Sequence, residues 1–252
     1  MLSRIKKISS FLLIGLFSLA SQNSMSVKES DIIDNQTFNK KVSEFILNNP
    51  EIIVEALENY KNNTAQILQK KINSYITNNL KEIEDVKSNP YFGNIDGDIS
   101  IVMFFDYSCG YCKKANDIIN QLLLIDKDIK LVYRPYAVLG ERSDYITKII
   151  LSIYLKNPES FKEFHDKFMG TVQLSENAIN EILKKYNINT SSTDNKLSSI
   201  QQNTVSLARE LYISGVPTFI INGNIYRGML SLNDLTKIID KLRSENKEFA
   251  KN

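Results

Sequence analysis

Cysteine and histidine are scarce in this 252-residue chain, with two of the first and one of the second. A structural zinc site draws on four Cys or His ligands and finds too few here. A framework of scattered structural disulfides would need more than one cysteine pair. Covalent haem attachment needs a histidine directly after the second cysteine, where Lys113 stands. Copper(I) held by two thiolates alone stays compatible with the set, since thiolates suit that ion. His165, set among Phe161, Phe164 and Phe168, reads as a packed helix residue rather than a ligand or base.

Long apolar runs are also few. The chain opens with Arg4, Lys6 and Lys7, an apolar run from Ile8 to Ala20 and a small-residue exit at Ser18-Leu19-Ala20, the three-part pattern of a cleaved secretory signal. That run falls short of the roughly 20 mostly apolar residues a membrane span needs. No cysteine lies near the expected cut to take a lipid. Removing the three basic residues turns the formal net charge of +2 into −1, which excludes nucleic-acid binding by bulk charge. The roughly 230 residues that remain suit one core with an appendage, or two small domains.

Between Gln36 and Ser88 there is no glycine and one proline, which favours helix. Phe38, Val42, Phe45 and Ile46 make a short stripe, and Asn49-Pro50 caps a second helix. There Ile53, Leu57, Tyr60, Ile67, Leu68, Ile72, Ile76, Leu80 and Ile83 keep a helical period. Such a helix runs about 50 Å at 1.5 Å per residue, too long to lie wholly on one small domain, so its stripe is expected to meet a second copy of itself.

After turn residues at Gly93, Gly97 and Asp98, Ile99 to Tyr107 reads as a buried strand. Cys109-Gly110-Tyr111-Cys112 follows, and then Ala115, Ile118, Ile119, Leu122 and Leu123 share one helical face. Leu131 to Val138 reads as a second strand, parallel to the first because a helix crosses between them. Glu141 to Tyr212 is mostly helical and makes a cap beside the sheet; Thr218–Ile221 and Ile225–Arg227 form a hairpin through Asn222-Gly223-Asn224, and Ser231 caps a last helix.

The cysteine pair thus sits where a strand hands over to a helix. A thiol attacks disulfides as its thiolate, and a helix amino terminus favours negative charge. Cys109 stands at that terminus, and Cys112, one turn on, is placed to attack the mixed disulfide formed on Cys109 and release its partner. A purely structural disulfide is the lesser reading, because so small a ring constrains little of the unfolded chain.

Three stretches resemble the DsbA-like branch of the thioredoxin superfamily: Phe104-Phe105-Asp106-Tyr107-Ser108-Cys109-Gly110-Tyr111-Cys112-Lys113, Glu163-Phe164-His165-Asp166 and Gly215-Val216-Pro217-Thr218-Phe219. The resemblance covers Pro90 to about Leu242. It implies a thioredoxin-like α/β fold with a helical insertion, a cis bond before Pro217, and a groove in which Val216 and Pro217, with Tyr111 beside them, meet the backbone of a client. It implies catalysis by Cys109 and Cys112 with no metal or organic cofactor.

One departure stands out. Many relatives carry a buried glutamate six residues before the first cysteine, where this chain has Met103, so slower deprotonation of Cys112 is expected. Asp106 either substitutes through water or serves as a strand-end hydrogen-bond acceptor. Gly110-Tyr111 lacks the histidine found there in strongly oxidising relatives, which implies a less oxidising disulfide. The same dipeptide occurs in exported isomerases and in oligomeric relatives of the Com1 and suppressor-of-copper-sensitivity C types, which carry a helical stalk before this domain.

The expected organisation is a signal peptide at 1–20, a helical oligomerising arm at 21–88, and a thioredoxin-like catalytic domain at 89–252 with its insertion at about 141–212. The expected activity is formation or isomerisation of disulfides in unfolded or misoxidised proteins of the periplasm, in a homo-oligomer that the resemblance favours as a trimer, recharged by a membrane redox partner. The alternative is a copper-binding or surface interaction protein that keeps the fold.

Overall fold

Strand Ile99–Phe105 (β2) is buried along its whole length, and its side chains alternate between two cores. Ile99, Ile101, Met103 and Phe105 enter the first core; Val102 and Phe104 enter the second. A strand covered on both faces must be apolar throughout, which is how its sequence reads. The computed structural model describes residues 34–170, 175–188 and 195–249. The expected signal peptide at 1–20 lies outside the described residues. Among those described, no helix is long and apolar enough to cross a membrane.

The chain divides into two compact units at Lys61–Asn62. In the first, helix Asn35–Asn48 (α1) starts at Asp34, whose carboxylate accepts the N–H groups of Gln36 at 2.8 Å and Thr37 at 3.0 Å. Its stripe residues Phe38, Val42 and Phe45 are exposed. Helix Glu51–Ile83 (α2) follows Asn49-Pro50 and continues into the second unit.

In the second unit, Ile129–Pro135 (β3) lies parallel to β2, while Thr218–Ile221 (β4) runs antiparallel on the other side of β2. Asn224–Arg227 (β5) completes the hairpin with β4. A short strand, Tyr91–Gly93 (β1), pairs antiparallel with β3, giving the order β1-β3-β2-β4-β5. Three residues are too few for a periodic signal, and the sequence shows only turn chemistry there. Gly93 is required: at φ 88° a Cβ would stand 2.3 Å from the Ile129 carbonyl oxygen.

Helix Gly110–Ile125 (α3) crosses between β2 and β3 and covers the first core together with Glu141–Lys156 (α4), Phe161–Gly170 (α5), Glu176–Lys185 (α6) and the final helix Leu232–Phe249 (α8). Helix Asn195–Glu210 (α7) places Leu207 and Ala208 in the second core instead. The insertion therefore serves both faces of the sheet, where the sequence suggests a single cap.

The remainder of the second face is covered by α2. Ile72, Ile76 and Ile83 are buried there with Val102, Phe104, Val132, Leu207 and Leu211. This corrects the expectation that the whole stripe of this helix meets another copy: from Ile72 onward it meets the chain's own sheet, which would otherwise leave an apolar face bare. Arg134 of β3 points to the same side and is fully buried. It donates to the carbonyls of Glu82 and Ile83 at the end of α2, to Asn89 Oδ1 at 3.0 Å and to Asn203 Oδ1 at 2.6 Å. Arginine's planar fork suits several acceptors at once, here the unpaired carbonyls of a helix terminus.

Candidate active site

β2 ends at Phe105 and α3 begins at Gly110, so Asp106 to Cys109 make the handover. The Cys109 N–H donates to the Asp106 carbonyl at 3.1 Å, which closes a turn. Cys109 is extended (φ −83°, ψ 117°) and caps α3, its Sγ accepting the Cys112 N–H at 3.2 Å. The first N–H groups of a helix have no partner within it, so one such donor is aimed at the sulfur. Only 7 % of Cys109 is exposed.

Facing this sulfur is the loop before β4. The Val216–Pro217 bond is cis, and the Val216 carbonyl accepts a hydrogen bond from the Cys109 thiol at 3.6 Å. The loop is braced on both sides: the Pro217 carbonyl accepts the Gly228 N–H at 2.9 Å, and the Thr218 hydroxyl donates to the Gly215 carbonyl at 2.8 Å. Val216 is half-buried beside the thiol. Tyr111 lies on the outer side of the first turn of α3, 65 % exposed, with the Lys114 ammonium 5.8 Å from its ring centre.

Cys112 is wholly buried, and both cysteines are free thiols. Burial, and then the hydrogen bond with Cys109, push the Cys112 thiol well above the ordinary range. Met103 sits in the first core and offers no proton acceptor. Asp106 is fully buried, and its oxygens are already engaged: Oδ1 accepts the Ser108 N–H at 2.7 Å, while Oδ2 accepts those of Val138 at 2.8 Å and Leu139 at 3.0 Å. Of the two roles the sequence leaves open for Asp106, these contacts are those of the acceptor.

A second polar group, which the sequence does not reveal as such, lies on the same face of α3 as Cys112. Asn116 is one turn further on and buried. Its Nδ2 donates to Asp166 Oδ1 at 3.2 Å, so its Oδ1 is left to face His165 Nε2 at 2.9 Å. That assignment makes Nε2 the protonated nitrogen of His165 and Nδ1 the acceptor of the Tyr107 hydroxyl at 3.1 Å. Asp166 is held in turn by Asn120 and by an ion pair with Lys162. Burial holds the His165 imidazole down to about 3, so it is neutral, and the chain from Tyr107 to Lys162 ties α3 to α5. In the sequence this network shows as Asn116, a polar residue next to Ala115 on the apolar stripe of α3, and as His165-Asp166 in one of the stretches that carry the family resemblance.

Four of the five expected site residues, Cys109, Cys112, Val216 and Pro217, therefore converge, and Tyr111 stands at their outer edge. Among the described residues no group of three or more His, Cys, Asp or Glu side chains could hold a metal ion.

Comparison with known proteins bears on this arrangement. A family model described as thioredoxin matches residues 85–241. The thiol-disulfide exchange protein alpha-DsbA2 from Wolbachia pipientis is 30% identical, with a TM-score of 0.61 over 68% of this chain and 95% of that one. A linker-deleted mutant of Proteus mirabilis ScsC shares the fold at 22% identity, with a TM-score of 0.64 over 88% of this chain and 99% of its own. Disulfide bond formation protein D of Bacillus subtilis is 23% identical over 176 residues, which are 62% of this chain and 78% of that protein.

Proposed function

The chain belongs to the thioredoxin family as a DsbA-like thiol-disulfide oxidoreductase, and we propose that it forms or isomerises disulfides in exported proteins through Cys109 and Cys112. The observation that carries this reading is the position of the Cys109 sulfur, which receives a helix N–H at 3.2 Å and lies 3.6 Å from the Val216 carbonyl beside a cis proline.

In the proposed cycle Cys109, as thiolate, attacks one sulfur of a client disulfide. A Cys109–client bond forms, and the other client sulfur leaves as a thiolate and takes up a proton. Cys112 then loses its proton and attacks the Cys109 sulfur, so that the site becomes a disulfide and the client a dithiol. Run backwards, the same steps oxidise a client. If a second client thiolate attacks the mixed disulfide instead, the client disulfide is rearranged and Cys109 leaves as thiolate, with no net redox change. Val216 and Pro217 are the proposed seat of the client backbone, since a proline without an N–H leaves room for an incoming strand.

The basic start and apolar run at 1–20 support export to the periplasm, where disulfides persist and where a membrane redox partner would reset the cysteines. The exposed stripe of Phe38, Val42, Phe45, Leu57 and Tyr60 supports assembly of copies, with a trimer favoured by the family resemblance. The test is refolding of scrambled ribonuclease: intact protein should restore activity, and a Cys109→Ala variant should not. Equal refolding by both would overturn the reading. Thiol trapping in intact cells then gives the direction, with mostly oxidised cysteines indicating an oxidase and mostly reduced ones an isomerase.

A further inference from the structure

His165 is the chain's single histidine, is fully buried, and takes no part in the exchange cycle above. Its ring packs among those of Phe105, Tyr107, Tyr133 and Phe161, whose centres lie 4.3 to 5.6 Å away. A phenylalanine would fill that space without stripping two ring nitrogens of water. What the imidazole adds is a pair of hydrogen-bonding ends. Nδ1 accepts from the Tyr107 hydroxyl at 3.1 Å, on the strand side of the cysteine pair, and Nε2 donates to Asn116 Oδ1 at 2.9 Å, on the helix side. Residues 108–115, with both cysteines among them, lie between these two anchor points. Asn116 stands one turn beyond Cys112 on α3, so the bond that holds Asn116 also sets the angular position of Cys112 about the helix axis. The amide nitrogen of Asn116 is held by Asp166, the residue after His165, and Asp166 in turn by Asn120 and Lys162.

We propose that His165 is a positioning residue for the second step of exchange: by bridging Tyr107 and Asn116 it holds the end of β2 and the first turns of α3 at the separation that keeps the Cys112 sulfur within reach of the Cys109 sulfur. The inference rests on the thiol-disulfide exchange reading and gives one of its steps a helper in the helical insertion.

The two steps depend differently on that separation. Attack by Cys109 on an outside disulfide needs one sulfur of this chain, and the Cys112 N–H supports it there. Resolution needs both. Cys112 gives its proton to water, the Cys109–Cys112 bond forms as the Cys109–client bond breaks, and the client sulfur leaves as a thiolate that takes up a proton. A disulfide requires Cβ atoms about 3.5–4.5 Å apart, so closing depends on how often the two halves of the turn are held at that distance. Misplacing a reacting atom by about 1 Å costs on the order of a hundredfold in rate, and a turn released at one end is expected to lose about tenfold.

The experiment uses the full chain and glutathione disulfide at one fixed pH, with rapid acid quench and mass spectrometry following the mixed disulfide, so that attack and resolution are timed separately. The variants are Tyr107→Phe, which cuts the bridge on the strand side, Asn116→Ala, which cuts it on the helix side, and the two combined. Tyr107→Phe removes a single hydroxyl and keeps the ring against Phe105, 5.1 Å between centres, so the fold is retained in at least one variant. The ratio of resolution rate to attack rate should fall about tenfold in each single variant, and the double variant should be no worse than the lower single, because one cut already opens the bridge. The dithiol–disulfide equilibrium against glutathione should move toward the dithiol by the same factor, about 30 mV. A ratio within about twofold of wild type in Tyr107→Phe would overturn the proposal. So would single effects that multiply in the double variant, or an equal slowing of both steps, which is what general loosening of the core produces. Wild-type protein that forms no mixed disulfide with glutathione would instead sink the exchange reading itself, an outcome separate from any pattern among the variants.

Discussion

Replacing Arg134 by leucine should destabilise the second unit substantially while leaving exchange chemistry intact. Arg134 is fully buried and serves four acceptors: the carbonyls of Glu82 and Ile83 and the side-chain oxygens of Asn89 and Asn203. Glu82 is exposed and Asn203 half-exposed, so water can replace the guanidinium at both. Ile83 and Asn89 are buried, and each stranded acceptor costs about 1–3 kcal/mol. Against this stands relief of the guanidinium's own burial, which pulls its pKa down to about 10, and the apolar surface that leucine buries. The balance is a loss of about 3 kcal/mol, or a fall in Tm of about 6–12 °C for a unit of this size. Arg134→Lys, which keeps the charge but loses the fork, should recover less than half of that loss. Urea unfolding of the full chain followed by circular dichroism gives the number. Exchange with glutathione disulfide at low temperature should stay within twofold of wild type, since Arg134 lies on the face of the sheet opposite Met103 and the first core. A loss below 1 kcal/mol would mean that the end of α2 is held by its apolar contacts alone and that the buried cation is incidental.

Other expectations follow from the site. Resolution of a mixed disulfide on Cys109 should speed up about tenfold per pH unit from pH 6 to beyond pH 9, because burial keeps Cys112 protonated through that range; a plateau near the free-thiol value of about 8.5 in rapid-quench alkylation would contradict the burial. His165 binds a proton at about pH 6.5 in the unfolded chain and at about 3 in the folded one. The unfolded state therefore holds more protons between those values, so stability is lost as pH falls from 6.5 toward 3, by about 2 kcal/mol at pH 5. A His165→Gln variant should lose one proton from the slope of stability against pH in that window, and an unaltered slope would refute the assignment. Gly93→Ala should lower stability by about 2 kcal/mol or more in thermal unfolding, from its positive φ and the approach to the Ile129 carbonyl; a change under 0.5 kcal/mol would show that β1 can detach freely.

The chemistry was more legible in the sequence than the architecture around it. Cys109 and Cys112 announce themselves by spacing and by the apolar strand before them, and Val216-Pro217-Thr218 by the family resemblance it helps to carry. Both signals are local, and local signals survive reading in one dimension. Helix α2 shows the limit. Ile53 and Ile76 repeat at the same helical period, yet Ile53 is exposed and Ile76 is buried beneath the sheet. Periodicity says that a face wants covering and is silent on what covers it. Arg134 escaped notice for a related reason: in a strand pattern it reads as an outward polar residue, and only the arrival of the end of α2 above it turns that position inward. The grip of Asp106 joins residues 32 and 33 positions apart, so no spacing rule within one element points to it.

A strand packed on both sides by greasy neighbours has no wet face to tell it when it has slipped, because shifting it by one step merely trades one oily wall for another. β2 is such a strand, and its phase is set from its ends. At one end the Asn222 side chain and backbone clasp Ser100, at 2.6 and 2.9 Å; at the other the Asp106 carboxylate fastens the crossing into α3. The reactive sulfur is thereby indexed by two polar clips on an otherwise featureless rail, and any insertion between them would move the nucleophile away from its partner loop while leaving both cores as oily as before.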